Sequence, residues 1–211
     1  MSGKSLFQRS SNWNKWKRQR ALGIDAKWLQ PLNDTFAKYG IDTPKRQAAF
    51  IGQAQHESNN FKTLEEGLSY SANRLMAVWP SRFPNVDVAN QYANNPEKLA
   101  NKVYGGRADL GNTEDGDGFK FHGRGIFQLT GRSNYQVCGD ALGQPLTEQP
   151  SLLLEPMWAC MSAGWFYNKK NLNSMADNED WTTMTKRING GTVGLDDRIN
   201  RIHKAMDILG G

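Results

Sequence analysis

Cysteine is nearly missing: Cys138 and Cys160 are the only two in 211 residues. Two are too few for the disulfide framework that holds a small secreted domain, and too isolated for a zinc site. Cys160 lies in the apolar run from Met157 to Met161, which reads as a buried thiol. A single bridge between the two remains the second reading. Histidine is equally scarce, with three scattered residues, so neither a metal centre nor any other cofactor is expected. No run approaches the ~20 apolar residues of a membrane-spanning helix. The chain starts basic, but no apolar segment follows, so no secretory signal is expected. Internal repeats and low-complexity linkers are absent too. These absences leave an ordinary globular chain made in a cytoplasm.

Aromatic residues are plentiful. Seven Trp, nine Phe and six Tyr argue for a packed core, because each buries a large apolar area. The mean hydropathy of −0.69 marks a polar chain with room for one domain, or one domain split into two lobes. The formal net charge is +5, and the excess sits at the start: Lys4, Arg9, Lys15, Lys17, Arg18 and Arg20 all precede Asp25. Such a segment favours an anionic partner: nucleic acid, an acidic membrane face or an anionic wall polymer. Trp13 and Trp16, flanked by Lys15, Lys17 and Arg18, suit an amphipathic turn against wall or membrane. We divide the chain into a basic extension, residues 1–25, and a folded domain, residues 26–211.

Periodicity makes that domain mainly helical. Leu29, Leu32 and Phe36 recur at helical spacing between Ala26 and Tyr39. Thr43-Pro44 is a helix start, and the helix runs to about Ser58. Further helices are predicted from Ser71 to before Pro80 and from Pro96 to Val103. Residues 81–96 read as loop. The segment from Pro150 to Tyr167 is apolar nearly all round, a buried helix with Pro156 in a first turn. Leu195, Ile199, Ile202, Met206 and Leu209 form a clean terminal stripe ended by Gly210-Gly211. Phe119 to Leu129 is the best strand candidate, with Gly123 and Gly125 marking a bend. The acids of residues 111–118 lack the spacing and closing Glu of a calcium loop.

Glu57 is the residue that helix propensity does not explain. It lies seven residues after Phe50 and three after Ala54, so it shares their apolar face or its edge. A carboxyl there is costly unless paired or protonated, and a protonated one suits a general acid. Gln53 is placed to hydrogen-bond it. Glu66 lies nine residues further on, past the helix end, and Glu65 beside it competes for the same role. Inverting glycosidases need two carboxyls roughly 6.5–9.5 Å apart with a water between them. Two acids near a helix end are otherwise an ordinary capped or salt-bridged pair.

The words around these acids separate the two readings. Gln53 to Phe61 (QAQHESNNF) and Leu64 to Ala72 (LEEGLSYSA) resemble the acid-bearing segment of family 19 glycoside hydrolases, most closely the short bacteriophage endolysin branch. Val103 to Arg107, His122 to Gly131 with Asn134-Tyr135, Ile188 to Gly191, and Asp197 through Gly210 continue the resemblance in the family's order. It covers the chain from about residue 44 to its end.

The resemblance implies a mainly α, lysozyme-like fold in two lobes, with a small β region beside a substrate cleft. It implies that Glu57 is the general acid and Glu66 the general base, with Thr130 helping to hold the attacking water. It places Gln128 and Asn134 on sugar N-acetyl groups, and Asn189 and Arg198 in the cleft, supporting the base and binding substrate. Arg198 falls at the edge of the terminal stripe, where a guanidinium reaches a carboxylate. Tyr104, with Tyr70, Tyr135 and Trp79, offers rings for stacking on sugars, against the commoner role of aromatics in a core. His56, His122 and His203 read as structural.

The function expected is hydrolysis of β-1,4 bonds in bacterial peptidoglycan, muramidase-type, by a monomer with no nucleic-acid partner. It would be made in a host cytoplasm and reach the wall after membrane permeabilisation. The rivals are a chitinase with the same mechanism and a non-catalytic wall-binding module. Plant chitinases of the family carry several disulfides and often a chitin-binding module, which this chain does not match.

Overall fold

The computed structural model describes residues 6–210, with side chains from residue 14 onward. Among the described residues it is mainly helical: α1 (Leu6–Ala21), α2 (Ala26–Lys38), α3 (Pro44–Glu57), α4 (Ala72–Val78), α5 (Val86–Asn90), α6 (Pro96–Tyr104), α7 (Asp117–Lys120), α8 (Arg132–Leu142), α9 (Pro156–Lys169), α10 (Leu172–Asp177), α11 (Trp181–Asn189) and α12 (Leu195–Leu209). No helix among these residues is long and apolar enough to cross a membrane. The chain divides into two compact units. Unit 1 takes the chain up to Leu64, Gly125–Phe127 and everything from Leu153; unit 2 takes Glu65–Arg124 and Gln128–Leu152.

Unit 1 is built on α3. Thr43 caps that helix by accepting from the Arg46 amide at 3.1 Å, and Pro44 fills the first turn, where its missing N–H costs nothing. Phe50 is fully buried and meets the rings of Phe36 and Tyr167 edge-on, with centroids 5.4 and 5.3 Å away. Two helices lie against α3 and α2 respectively: α12 on the former, α9 on the latter. Gly52 allows the first of these contacts. A β-carbon there would stand 2.5 Å from Cγ1 of Ile202 and 2.8 Å from its backbone nitrogen, so any side chain would force α12 away.

The basic N-terminal segment is helical rather than a short turn, and the end of α1 packs on α2 and α12. Gln19 is fully buried and exchanges hydrogen bonds with Asn33 at 2.9 and 3.3 Å. Arg18 donates to the Leu209 carbonyl at 2.8 Å, a cation at a helix C-terminus. Trp16 is partly buried against the core of unit 1. Trp13, its expected companion, lies outside the residues whose side chains are described.

Unit 2 has its own core of Leu75, Phe83, Leu99 and Val103, contributed by α4, α6 and the turn after α4. The strand expected over 119–129 does not form. Residues 117–120 are the short helix α7 instead. The extended pairing reduces to isolated bridges, Glu65 with Arg124 and Arg124 with Leu129. The reason lies in the backbone: Gly125 and Gln128 take φ of +81° and +51°, which no strand tolerates. Residues 81–96, expected as loop, contain α5 with Asn85 as its cap. The acidic loop before α7 is tied down by Arg132, which meets Asp117 at 2.9 Å through Nε and Glu114 at 3.0 Å through Nη2. That guanidinium holds the Asp117 carboxyl below the usual carboxylate range.

Candidate active site

Glu57 is the last residue of α3, a position where the helix dipole disfavours a carboxylate. A cation from α12 compensates it. Arg198 sits in the first turn of α12 and is 2 % exposed, so it is buried rather than lying at an edge of the stripe. Its Nη2 lies 2.6 Å from Oε1 of Glu57. This is an ion-pair contact that lacks the angle of a hydrogen bond, and Oε1 is buried with no other partner. Nη1 of Arg198 donates to Oε1 of Gln53 at 2.7 Å, and Nε to the Val193 carbonyl at 3.1 Å. Gln53 therefore does not hold Glu57, as the four-residue spacing suggests. Its carbonyl takes the guanidinium, and its amide donates to Thr185 at 3.2 Å. The fully buried Arg198 has the stronger claim on that acceptor, because leaving it short of partners costs more.

Asn189 ends α11. It donates to the Val193 carbonyl at 3.1 Å and accepts from the Gly191 amide at 2.8 Å. Asn189 and Arg198 thus brace the same carbonyl and shape the turn between α11 and α12. His56 lies 2.6 Å from Asp197, which also accepts from Arg201 at 2.6 Å. The His56 contact first, then Arg201, keeps the Asp197 carboxyl below its usual range. His56 is thus engaged structurally, on α12 rather than on Glu57.

Glu66 belongs to unit 2 and is held differently. The Tyr104 phenol donates to its Oε1 at 2.6 Å, and the Gly123 amide to its Oε2 at 3.2 Å. Its own backbone amide donates to the Gly123 carbonyl at 2.9 Å. Burial, followed by the bond to Glu66, pushes the Tyr104 phenol well above its ordinary range. A β-carbon at Gly123 would stand 2.9 Å from Oε1 of Gln128 and 3.3 Å from Oε2 of Glu66, so a side chain there would push both groups aside. The same glycine thus brings Gln128 beside Glu66. Thr130 donates to the Gln128 carbonyl at 3.0 Å, and Asn134 donates to the Thr130 carbonyl at 2.8 Å. The run Gln128, Thr130, Asn134 forms one hydrogen-bonded ladder leading into α8.

Glu65, the competitor for the role of Glu66, is committed elsewhere. Its Oε1 accepts from Arg124 Nε at 2.9 Å and lies 2.9 Å from Nε2 of the buried His122. Tyr135 supports this group from behind, donating to the His122 carbonyl at 2.7 Å, and burial pushes its phenol up to about 12. Tyr135 is fully buried, which removes it as a stacking platform. Tyr70 and Trp79 pack on each other with centroids 5.3 Å apart. His203 is exposed on α12. Both cysteines are buried, and no disulfide joins them. Among the described residues no group of His, Cys, Asp and Glu is placed to hold a metal ion.

Of the residues singled out in the sequence, unit 1 holds Glu57, Asn189 and Arg198, and unit 2 holds Glu66, Tyr104, Gln128, Thr130 and Asn134. Sequence reasoning missed Thr185 and Val193 as supports of the Arg198 cluster. It also missed Gly123 as the point where Glu66 and Gln128 converge. Only the last had a visible signal, a glycine in the middle of an apparent strand.

The model of the family described as "Chitinase class I" matches residues 84–179. A glycosyl hydrolase family 19 domain-containing protein of Haemophilus influenzae is 32 % identical over 180 residues, which cover 84 % of this chain and 86 % of that protein. Chitinase 11 of Oryza sativa subsp. japonica is 46 % identical over 137 residues, but these span only 40 % of its length. Among solved structures, chitinase C of Streptomyces griseus HUT6037 superposes with a TM-score of 0.59 at 21 % identity, over 89 % of this chain and 72 % of that one, a likeness of fold. The Haemophilus relative, matched over most of both lengths, settles the family: this chain belongs to glycoside hydrolase family 19.

Proposed function

We propose that the protein is an endolysin that hydrolyses β-1,4 glycosidic bonds of bacterial peptidoglycan as an inverting, muramidase-type enzyme. Glu57 protonates the leaving oxygen, and Glu66 takes a proton from the water that attacks the anomeric carbon on the opposite face. Arg198 orients the Glu57 carboxyl through Oε1 and leaves Oε2 for the leaving oxygen. Thr130 offers an oxygen to the attacking water. Gln128 and Asn134 each present a donor and an acceptor to an acetamido group, and Asn189 lines the sugar path.

The observation that carries this reading is the way Glu66 is held. It receives a hydrogen bond on each oxygen, and such donors suit a carboxylate that works as a base. The choice of peptidoglycan rests on the endolysin-like order of motifs, the scarcity of cysteine and the basic charge. Synthesis in a host cytoplasm, followed by access to the wall through a permeabilised membrane, completes the proposal.

The second reading, a chitinase with the same mechanism, is favoured by the names that the relatives carry. Substituting Glu57→Gln and Glu66→Gln separately, and following release of reducing ends from purified murein, tests the mechanism. Each is expected to lower the rate by at least about 10². Wild-type rates in both would end it. Mass spectrometry of the new reducing end, from murein and from chitin oligomers in parallel, decides between the two substrates.

A further inference from the structure

We infer that Tyr104 is a positioning residue that, with the Gly123 amide, clamps the Glu66 carboxylate in the orientation required for proton abstraction. The inference rests on the proposal that Glu66 is the general base, and it gives Tyr104 a role other than that of a sugar platform. The phenol reaches Oε1 at 2.6 Å while the amide reaches Oε2 at 3.2 Å. The two donors come from separate elements, the end of α6 and the turn after α7, so the carboxyl group is fixed against rotation as well as translation. A carboxylate oxygen has two lone pairs. The clamp occupies one on each oxygen and leaves one free to take the proton from water.

Tyr104 is itself held. Its carbonyl accepts from Asn112 at 2.9 Å, and its ring is partly buried against the core of unit 2. A hydroxyl that donates its proton to Glu66 has none left to give a sugar and can only accept from one. The titratable groups around the clamp within unit 2 are few. Tyr70 and Arg107 act on the Tyr104 side. On the other side Arg124, Glu65 and Glu66 itself lie close enough to act on Tyr135, and Glu65 lies against His122. None of these replaces the phenol as a donor to Glu66.

Tyr104→Phe keeps the ring and removes only the donor. On soluble glycan oligomers released from murein, kcat is expected to fall about ten- to hundred-fold with KM within about two-fold, because the lost bond acts on the base and not on the sugar. In a Glu66→Gln background, Tyr104→Phe should change nothing further. Site-specific 3-fluorotyrosine at position 104, a stronger donor of the same shape, should keep kcat where Tyr104→Phe loses it, and it serves if the Phe variant folds poorly.

A platform role predicts the reverse: Tyr104→Phe indistinguishable from wild type, and Tyr104→Ala raised in KM alone. That result, with Glu66→Gln inactive, overturns the clamp and leaves the proposed mechanism standing. Full activity of Glu66→Gln overturns the mechanism itself.

Discussion

The two units solve the same problem, fixing a carboxylate, by different means. In unit 1, Glu57 is held by a buried guanidinium delivered from α12, more than a hundred residues later in the chain. In unit 2, Glu66 is held by the Gly123 amide and by a phenol from the end of α6, and its own amide closes the ring. The first arrangement depends on a charged side chain between packed helices; the second depends on neutral donors from a helix end and a turn. The charge of the units differs in the same direction. Unit 1 carries 18 Lys and Arg against 11 Asp and Glu, and unit 2 carries 8 against 10. Glu57 in unit 1 takes an arginine, whereas Glu66 in unit 2 takes uncharged donors. The difference teaches that Glu57 is the more fragile of the two with respect to distant mutation.

The sharpest way to break this comparison is Arg198→Ala. It leaves Glu57 and the Gln53 carbonyl without their buried partner, and an expected loss of about 3–5 kcal/mol follows. Urea unfolding measures it, and hydrogen exchange should show the lost protection in α3 and α12. A loss below about 1 kcal/mol would mean that α12 does not hold the Glu57 end of α3.

Next in size is Arg132→Ala in unit 2. It strands Asp117, whose side chain is 2 % exposed, at an expected cost of about 2–4 kcal/mol. This one has a pH signature. Arg132 depresses the folded-state pKa of Asp117 below its unfolded value of 3.8. The stabilisation is therefore present above about pH 4 and lost as pH falls through the folded value. Wild type and Arg132→Ala should converge in stability as the solution is acidified below pH 4. A constant gap would show that the pair does not carry the effect.

Gly52→Ala should cost about 1–3 kcal/mol by forcing α12 off α3, with activity falling more than stability because Arg198 moves with the helix. A variant with unchanged melting temperature and unchanged activity would remove Gly52 from the account of the site. The smallest expected effect is Lys45→Ala. Its exposed pair with Glu179, 2.7 Å apart, should be worth less than about 0.5 kcal/mol. Thermal unfolding that showed more would argue for a stronger tie between the start of α3 and the turn after α10.

Much of unit 1 was legible in the sequence. Thr43-Pro44 marks the start of α3, and the stripe from Leu195 to Leu209 marks α12 to the residue. Both helices bury one face, and a one-sided apolar pattern survives translation into structure. Unit 2 was harder to read. The run from Phe119 to Leu129 imitates a strand, but the turn conformations at Gly125 and Gln128 break it. Helix α8 has a glycine where a capping side chain would stand, so nothing at its start announces it. The pairing of Glu57 with Arg198 was only half visible: the arginine's position was readable, its burial and its hold on Gln53 were not.

What the amino-acid order determined by itself is the set of helices with one apolar face, and, through the family's motifs, which acids, amides and arginine are proposed for the site. These are properties of residue spacing along a few turns of chain. What only the tertiary structure decided is which partner each of them takes: Gln53 with Arg198 rather than Glu57, Glu65 with His122 and Arg124, Tyr104 with Glu66. Each buried polar group has several possible partners along the chain. The packing of helices leaves room for one of them at hydrogen-bonding distance, and that choice depends on contacts between residues far apart in sequence.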